Sequence, residues 1–446
     1  MADPSTRFES WGRVFPSARH VASELRWRTD SLPAIPAGMT ALPRGLGRSY
    51  GDSCLNDGGM LIVTEALDRF IAFDRSSGVL RCEAGVTFDE IVRVTVPAGW
   101  FVPVTPGTKF VTVGGAIAND VHGKNHHRRG TFGSHVRAFE LLRSDGSRIV
   151  CTPSANAGWF GATIGGLGLT GLVTWAEIQL VPVRGPWIDA ETIKFGALDE
   201  FFELNAESER RFEYTAAWID CAASGSAMGR GLYIRGNHSD VASTDGDSAA
   251  TSASLTLPFT LPGWVLNAAA MQMMCSVYYH AHGGSKKTAL SPFESFFWPL
   301  DAIGGWNRAF GPSGFFQYQC VIPMGDARDV AREILKAVTR ARQASFVSVL
   351  KTFGDVPSPG VLSFPRPGVT LALDFPNRGA ETRQLLTGLD RLVVDSGGAL
   401  YPAKDARMPG DVFRASFPRW QQLTPFIDPH FSSSFWRRVT GAPSIH

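Results

Sequence analysis

The sequence predicts an α+β protein of at least two domains. Three observations carry this. The 446 residues exceed what one hydrophobic core holds. Residues 1–185 interleave glycine-rich loops with short strand-like runs. From residue 315 the segments follow a β-α-β-β-α order, which makes an antiparallel sheet backed by helices. The 44% hydrophobic content, with 30 Phe and 12 Trp, is that of a globular chain. A formal charge of +2 without a long basic run argues against a nucleic-acid partner. Six cysteines, at 54, 82, 151, 221, 275 and 320, form no C-x-x-C pair, as expected of reduced thiols in the cytoplasm and not of a disulfide frame or zinc site.

In chain order, the first 20 residues lack the apolar core of a secretory signal. The segment 41–59 is a glycine-rich loop in which Arg44, Gly45, Leu46, Gly47, Arg48, Ser49 and Tyr50 suit a diphosphate, because backbone N–H groups and guanidinium forks both bind oxyanions; a solvated turn is the plain alternative. MLIVTE reads as a strand, FIAFD and GVLRCEAG as a hairpin, and Thr87-x-x-Glu90 as a capping box opening a helix that Pro97 stops. Residues 105–127 form the densest polar, glycine-rich stretch, with Thr105, Gly107, Thr108, Thr112, Gly114, Gly115, Ala116, Asn119, His122, Gly123, Lys124 and Asn125; its composition suits a flat anionic cofactor. RAFELLRSDGSRIVCT reads as a hairpin turning at Asp145-Gly146.

The G-x-G-x-x-G at 166–171 has a helix before it and a strand after. That is the reverse of a dinucleotide fingerprint, so the glycines are read as room for backbone beside a bound ring system. A domain boundary is placed at 182–185. Residues 236–254, rich in Ser, Asp and Ala, are expected to be a mobile surface loop. The apolar run 255–279 carries Pro258, Pro262, Asn267 and Gln272, which makes it a poor membrane span but leaves open a membrane edge or a greasy groove. Strands are expected at 315–323, 345–354 and 368–376, and helices at 327–342 and 381–398.

Gln317 and Gln319, two apart on a strand, point the same way. Lys351 in the apolar SVLKTFG is costly to bury unless an anion pairs it. His122 reads either as a base or cofactor contact, or as a capping histidine. A metal reading of His122, His126, His127 and His135 lacks a completing cysteine or carboxylate, so no metal is expected. Trp218 and Phe297 suit a sugar or lipid face, or plain core.

RGLGRSYGD (44–52), PGTKFVTVGGAIANDVHGKNHH (106–127), GGLGLTG (165–171), GFFQYQ (314–319), LKTFG (350–354) and LYPAKDAR (400–407) occur in the order of one family. Together they resemble the decaprenylphosphoryl-β-D-ribose 2'-oxidase-like branch of the vanillyl-alcohol-oxidase-type FAD flavoproteins, from about residue 10 to the end and most weakly over 185–290. The resemblance implies a PCMH-type FAD-binding domain of two α+β subdomains over 1–185. A substrate domain over 186–395 is inserted before a segment, 396–446, that returns to the FAD domain. It further implies that the first glycine loop holds the diphosphate and that the second lines the FAD with Gly171 and Leu172. Tyr401 would lie near the isoalloxazine. Lys124, Trp218, Gln317, Gln319, Lys351, Thr370 and Lys404 would line the substrate pocket, with Lys404 and His122 catalytic. Covalent relatives carry histidine where this chain has Arg48, so the FAD is expected to be non-covalent. Ala372, Thr370 and Phe297 replace a cysteine, an asparagine and a tyrosine of the family pattern.

The implied activity is oxidation of the 2'-hydroxyl of a polyprenyl-phosphoryl-β-D-ribose to the keto sugar, in the cytoplasm or at the inner face of the membrane. A short-chain NADH-dependent reductase is the implied partner, completing epimerisation. The alternatives are an alditol or aldono-1,4-lactone oxidase acting on a soluble sugar, and a flavin-binding scaffold without catalysis of its own.

Overall fold

The computed structural model describes residues 8–15, 18–242 and 255–441. Three sheets carry the fold. A small parallel sheet comprises β1 (Val21–Glu24), β2 (Ala41–Arg44) and β3 (Met60–Val63), with β3 central. An antiparallel five-stranded sheet follows in the order β4-β5-β8-β6-β7. Its members are β4 (Phe70–Asp74), β5 (Val79–Glu83), β6 (Val136–Leu142), β7 (Arg148–Cys151) and β8 (Leu172–Gln179). Helices lie between its strands, among them α1 (Phe88–Thr95), α2 (Val113–Ala118) and α3 (Ala157–Thr163). Thr87 and Glu90 form the expected capping box on α1. Thr112 caps α2 by accepting from the Gly115 N–H at 3.1 Å.

The third sheet has eight strands, all antiparallel, in the order β12-β9-β11-β10-β14-β15-β13-β16. In chain order its elements are β9 (Trp187–Phe195), α4 (Leu198–Ser208), β10 (Tyr214–Ile219), β11 (Gly231–His238), α5 (Ala268–Ala281), β12 (Lys286–Pro292), β13 (Phe315–Ile322), α6 (Ala327–Arg340), β14 (Ser348–Phe353), β15 (Gly368–Pro376), α7 (Ala380–Asp395) and β16 (Ala399–Leu400). The helices α6 and α7 bury the stripes Ala331, Ile334, Leu335, Val338 and Leu385, Leu386, Leu389, Val393 in one core with the sheet. The β-α-β-β-α reading of 315–398 thus matches element for element.

The surface loop expected at 236–254 is corrected at its start. Gly236–His238 continue β11 and pair with Ala190, Asp189 and Ile188, while residues 243–254 lie outside the described residues. Polar composition misled here because these side chains find partners within the sheet: Asn237 Oδ1 accepts from the Glu213 N–H at 2.7 Å, and the His238 ring lies 3.0 Å from the Tyr214 hydroxyl and edge-on to Phe101.

After β16 the chain runs back to the N-terminal region. The Tyr50 N–H donates to the Ala403 carbonyl, Ser432 N–H to the Ala41 carbonyl, and Arg438 of α8 (Ser434–Thr440) bridges Asp52 and Asp405 at 2.6 and 2.9 Å. This return carries Tyr401 and Lys404 to the junction of the three sheets.

Candidate active site

A cavity of about 740 Å³ lies along that junction, within the range of cofactor and ligand pockets. Two glycine-rich loops form one end. The first leaves β2 and carries Gly45 to Tyr50; the second carries Thr105 to Thr112 and leads into α2. They face each other so closely that a Cβ on Gly45 would stand 2.5 Å from Thr112 Oγ1. Gly107 has open space where a side chain would be. Arg44 keeps a buried Nε without a hydrogen-bond partner. Arg48 lies over the Trp11 ring at 4.4 Å and donates from Nε to the Phe110 carbonyl at 3.1 Å. A trough lined by glycine backbone, with two guanidinium groups and an orphan donor, fits the diphosphate of FAD. The turn 165–171 closes this end by docking on α2: Gly165 and Leu167 donate to the Ile117 and Ala118 carbonyls. Thr163, Leu167, Gly168 and Gly171 then line the cavity.

The other wall is the face of the eight-stranded sheet. Register places Gln319 opposite Ala372, Gln317 opposite Asp374 and Lys351 opposite Thr370. Gln317, Gln319, Lys351, Thr370 and Ala372 all line the cavity, as alternation along their strands requires. Lys351 Nζ stands 3.0 Å from His122 Nδ1 and donates to the Gly123 carbonyl at 2.9 Å. Gln319 Nε2 stands 3.1 Å from His122 Nε2 and donates to Thr370 Oγ1 at 3.2 Å. The neutral His122 ring therefore accepts from Lys351 at Nδ1, while its Nε2 faces the Gln319 side-chain amide. Burial, reinforced by the Lys351 charge, holds this imidazole well below its ordinary pKa.

Three lysines converge here. Burial pushes Lys351 down to about 7 and Lys124 down to about 8, and lowers Lys404 as well. Lys124 donates to the Phe297 carbonyl at 3.1 Å, and Lys404 Nζ sits 4.0 Å above the Tyr50 ring. Tyr401 stacks on Phe364 at 4.6 Å and donates to the Asn119 carbonyl at 2.9 Å. Asn119 itself donates to the Gly115 carbonyl, which ties the C-terminal return to α2.

The cavity continues along the sheet to Trp218, Tyr278, His282, Lys287 and Phe346. Trp218 donates to the Phe346 carbonyl at 2.8 Å and meets Tyr278 of α5 edge-on at 4.7 Å. The strap 291–301 roofs it, held by Lys109 to Glu294 at 3.0 Å, by Thr108 Oγ1 to Asp301 at 3.1 Å and by Trp298 Nε1 to Thr105 Oγ1 at 2.9 Å.

Most residues singled out in the sequence meet in this cavity, and three do not. Ala116 and Leu172 are fully buried in hydrophobic core, and Asn125 donates to the Pro103 carbonyl at 2.9 Å outside the lining. All three sit inside motifs whose neighbours face the cavity, but a motif does not say which way each residue points. Sequence reasoning also passed over Asp374 and Asp301. Asp374 carried a usable signal: a lone carboxylate in the apolar strand GVTLALDFP, the argument applied to Lys351. Asp301 had none.

Residues 34–152 match the family model described as FAD binding domain. A decaprenylphosphoryl-beta-D-ribose oxidase of Mycolicibacterium smegmatis is 36% identical over 97% of this chain and 97% of its own. A Streptomyces coelicolor protein, the uncharacterized protein in mprA 5'region, is 33% identical over 79% of this chain and 100% of its own. Human delta(24)-sterol reductase is 33% identical over 25% of this chain and 22% of its own. The first match spans nearly the whole chain, whereas the last is confined to about a quarter of it. The chain belongs to the family of FAD-dependent oxidoreductases that contains decaprenylphosphoryl-beta-D-ribose oxidase.

Proposed function

We propose that this oxidoreductase oxidises the 2'-hydroxyl of a polyprenyl-phosphoryl-β-D-ribose to the 2'-keto sugar, the C2' hydrogen leaving as hydride and the hydroxyl proton leaving to solvent, with FAD bound non-covalently. The observation that carries the reading is the convergence of Lys124, Lys351 and Lys404 in a cavity that starts at the FAD loops and ends among Trp218, Tyr278 and Phe346. Buried ammonium groups call for an anion, and a sugar phosphate supplies one. The aromatic end suits a prenyl chain.

In this proposal residues 1–185 and 396–446 hold the cofactor, and 186–395 hold the substrate. Bound FAD supplies the two-electron acceptor. Lys124 and Lys351 bind the phosphate. Gln317 and Gln319 orient the ribose hydroxyls, and Trp218 packs on the tail. Lys404 faces the oxidised carbon and provides positive charge where negative charge grows. His122, whose Nδ1 accepts from Lys351 and whose Nε2 faces the Gln319 amide, orients these two side chains and does not act as the base. Arg48, where covalent relatives carry histidine, offers no nucleophile for a flavin link.

A patch outside the aromatic end supports contact with a membrane surface. Trp264, Phe259, Met273 and Val277 are all more than 60% exposed, the last two on the free face of α5. Among the described residues no helix is long and apolar enough to cross a membrane. A short-chain NADH-dependent reductase remains the partner that would consume the keto product.

The test is anaerobic bleaching of the oxidised flavin band. Bleaching by a short-prenyl phosphoryl-ribose and not by ribitol, arabinitol or aldonolactones is the expected result. Bleaching by the soluble sugars instead makes the chain an alditol or lactone oxidase.

A further inference from the structure

Beneath the three lysines lies a carboxylate that the reaction outlined above does not use. Asp374 is fully buried on β15, two residues beyond Ala372 and four beyond Thr370, on the strand face that lines the cavity. Gln317 Nε2 donates to its Oδ1 at 2.6 Å, and its Oδ2 has no hydrogen-bond partner. Gln317 in turn meets the Tyr50 side chain, over whose ring Lys404 Nζ sits at 4.0 Å. The charged and titratable groups around Lys404 are Asp374 from β15, Lys351 from β14, His122 from the loop after α2 and Tyr50 from the loop after β2. Asp374 is the one acid among them that ionises in the physiological range, burial having raised its carboxyl to about 7. Lys351 adds positive charge, and the neutral His122 adds none.

We propose that Asp374 is the counter-charge that keeps Lys404 protonated in the reacting enzyme, a positioning residue acting through Lys404. The inference rests on the role proposed above for Lys404. Desolvation presses Lys404 towards the neutral amine, and Asp374 opposes it. Burial in turn raises the Asp374 carboxyl, as expected for an acid offset only by one hydrogen-bonded amide, Gln317, and by the charge of Lys404. The sign follows. Lys404 is charged below its own pKa and loses its charge as pH rises through it. Removing Asp374 lowers that pKa, so the loss of activity moves to lower pH.

The test is Asp374→Asn, isosteric and able to keep an amide contact with Gln317. Two readouts are taken on the FAD-loaded protein. The rate of flavin reduction at saturating substrate should match wild type near pH 6 and fall on the order of tenfold below it near pH 8. Independently of substrate, the pH midpoint for acetic anhydride labelling of Lys404, read by mass spectrometry, should move down by about one unit or more. A rate deficit equal at every pH, or an unmoved labelling midpoint, would overturn the proposal. The labelling result stands even when no lipid-linked ribose is turned over, so failure of the inference is distinct from failure of the proposed substrate. A further variant covers loss of FAD in Asp374→Asn. Lys404→Arg keeps its charge throughout, so whatever rate it retains must lack the alkaline fall; persistence of that fall also overturns the proposal.

Discussion

The two ends of the cavity are charged by different means. The loop end uses arginine and backbone. Arg44 and Arg48 stand among Gly45, Gly47 and Gly107, and a guanidinium stays charged at every physiological pH even where burial lowers it, as at Arg48. The sheet end uses lysine and side-chain amides, and burial brings Lys351 and Lys124 into the range of about 7 to 8. A permanent charge suits a cofactor that stays bound through turnover. A charge that titrates suits a ligand that must come and go, because the free site can shed the cost of unpaired ammonium groups by losing protons.

Of the changes that act on binding, breaking the loop end should have the largest effect. Gly45→Val pushes a branched side chain into Thr112, 2.5 Å from the Cβ position, and should weaken FAD retention about a hundredfold or more with the fold intact by circular dichroism. FAD retained at wild-type stoichiometry would place the cofactor elsewhere. Next comes the sheet end. Lys351→Met should raise the Kd for polyprenyl-phosphoryl-ribose between about tenfold and a hundredfold while leaving FAD content unchanged.

The pH dependence sharpens the same contrast. As pH rises from 6 to 9, Lys351 and Lys124 lose their protons. The Kd for the phosphorylated lipid should therefore climb about tenfold, while FAD retention stays flat. A flat substrate Kd would remove the lysines from phosphate binding. The smallest effect concerns the outer surface. Trp264→Ser with Val277→Ser should lower partitioning onto anionic vesicles a few-fold without altering turnover of a detergent-dispersed short-prenyl substrate.

Legibility in the sequence divides along the same line. Strands β13 to β15 and helices α6 and α7 were readable because period 2 and period 3.6 repeat over six to sixteen residues. Gln317, Gln319 and Lys351 followed from that regularity, since alternation fixes where a strand residue points. The loops were readable as composition only. Their glycines and arginines announced an anion, yet Asn125 turns away from the cavity, as do Ala116 on the short helix α2 and Leu172 at the first position of β8, because neither a loop nor the end of an element carries a period that gives direction. The strap 291–301 was opaque, because Asp301, Glu294 and Trp298 gain meaning only from Thr108, Lys109 and Thr105 about 190 positions earlier. Asp374 lay in a legible strand and was missed through lack of the question, not of signal.

The central claim is that one set of residues holds the cofactor and another handles the substrate. Lys404→Met tests it most directly, with FAD stoichiometry and anaerobic bleaching by short-prenyl phosphoryl-ribose read on one sample. The account predicts a full complement of FAD, released into the supernatant by acid precipitation, with reduction slowed by about 10³ or more. Near-normal bleaching, or loss of FAD together with loss of bleaching, would contradict it.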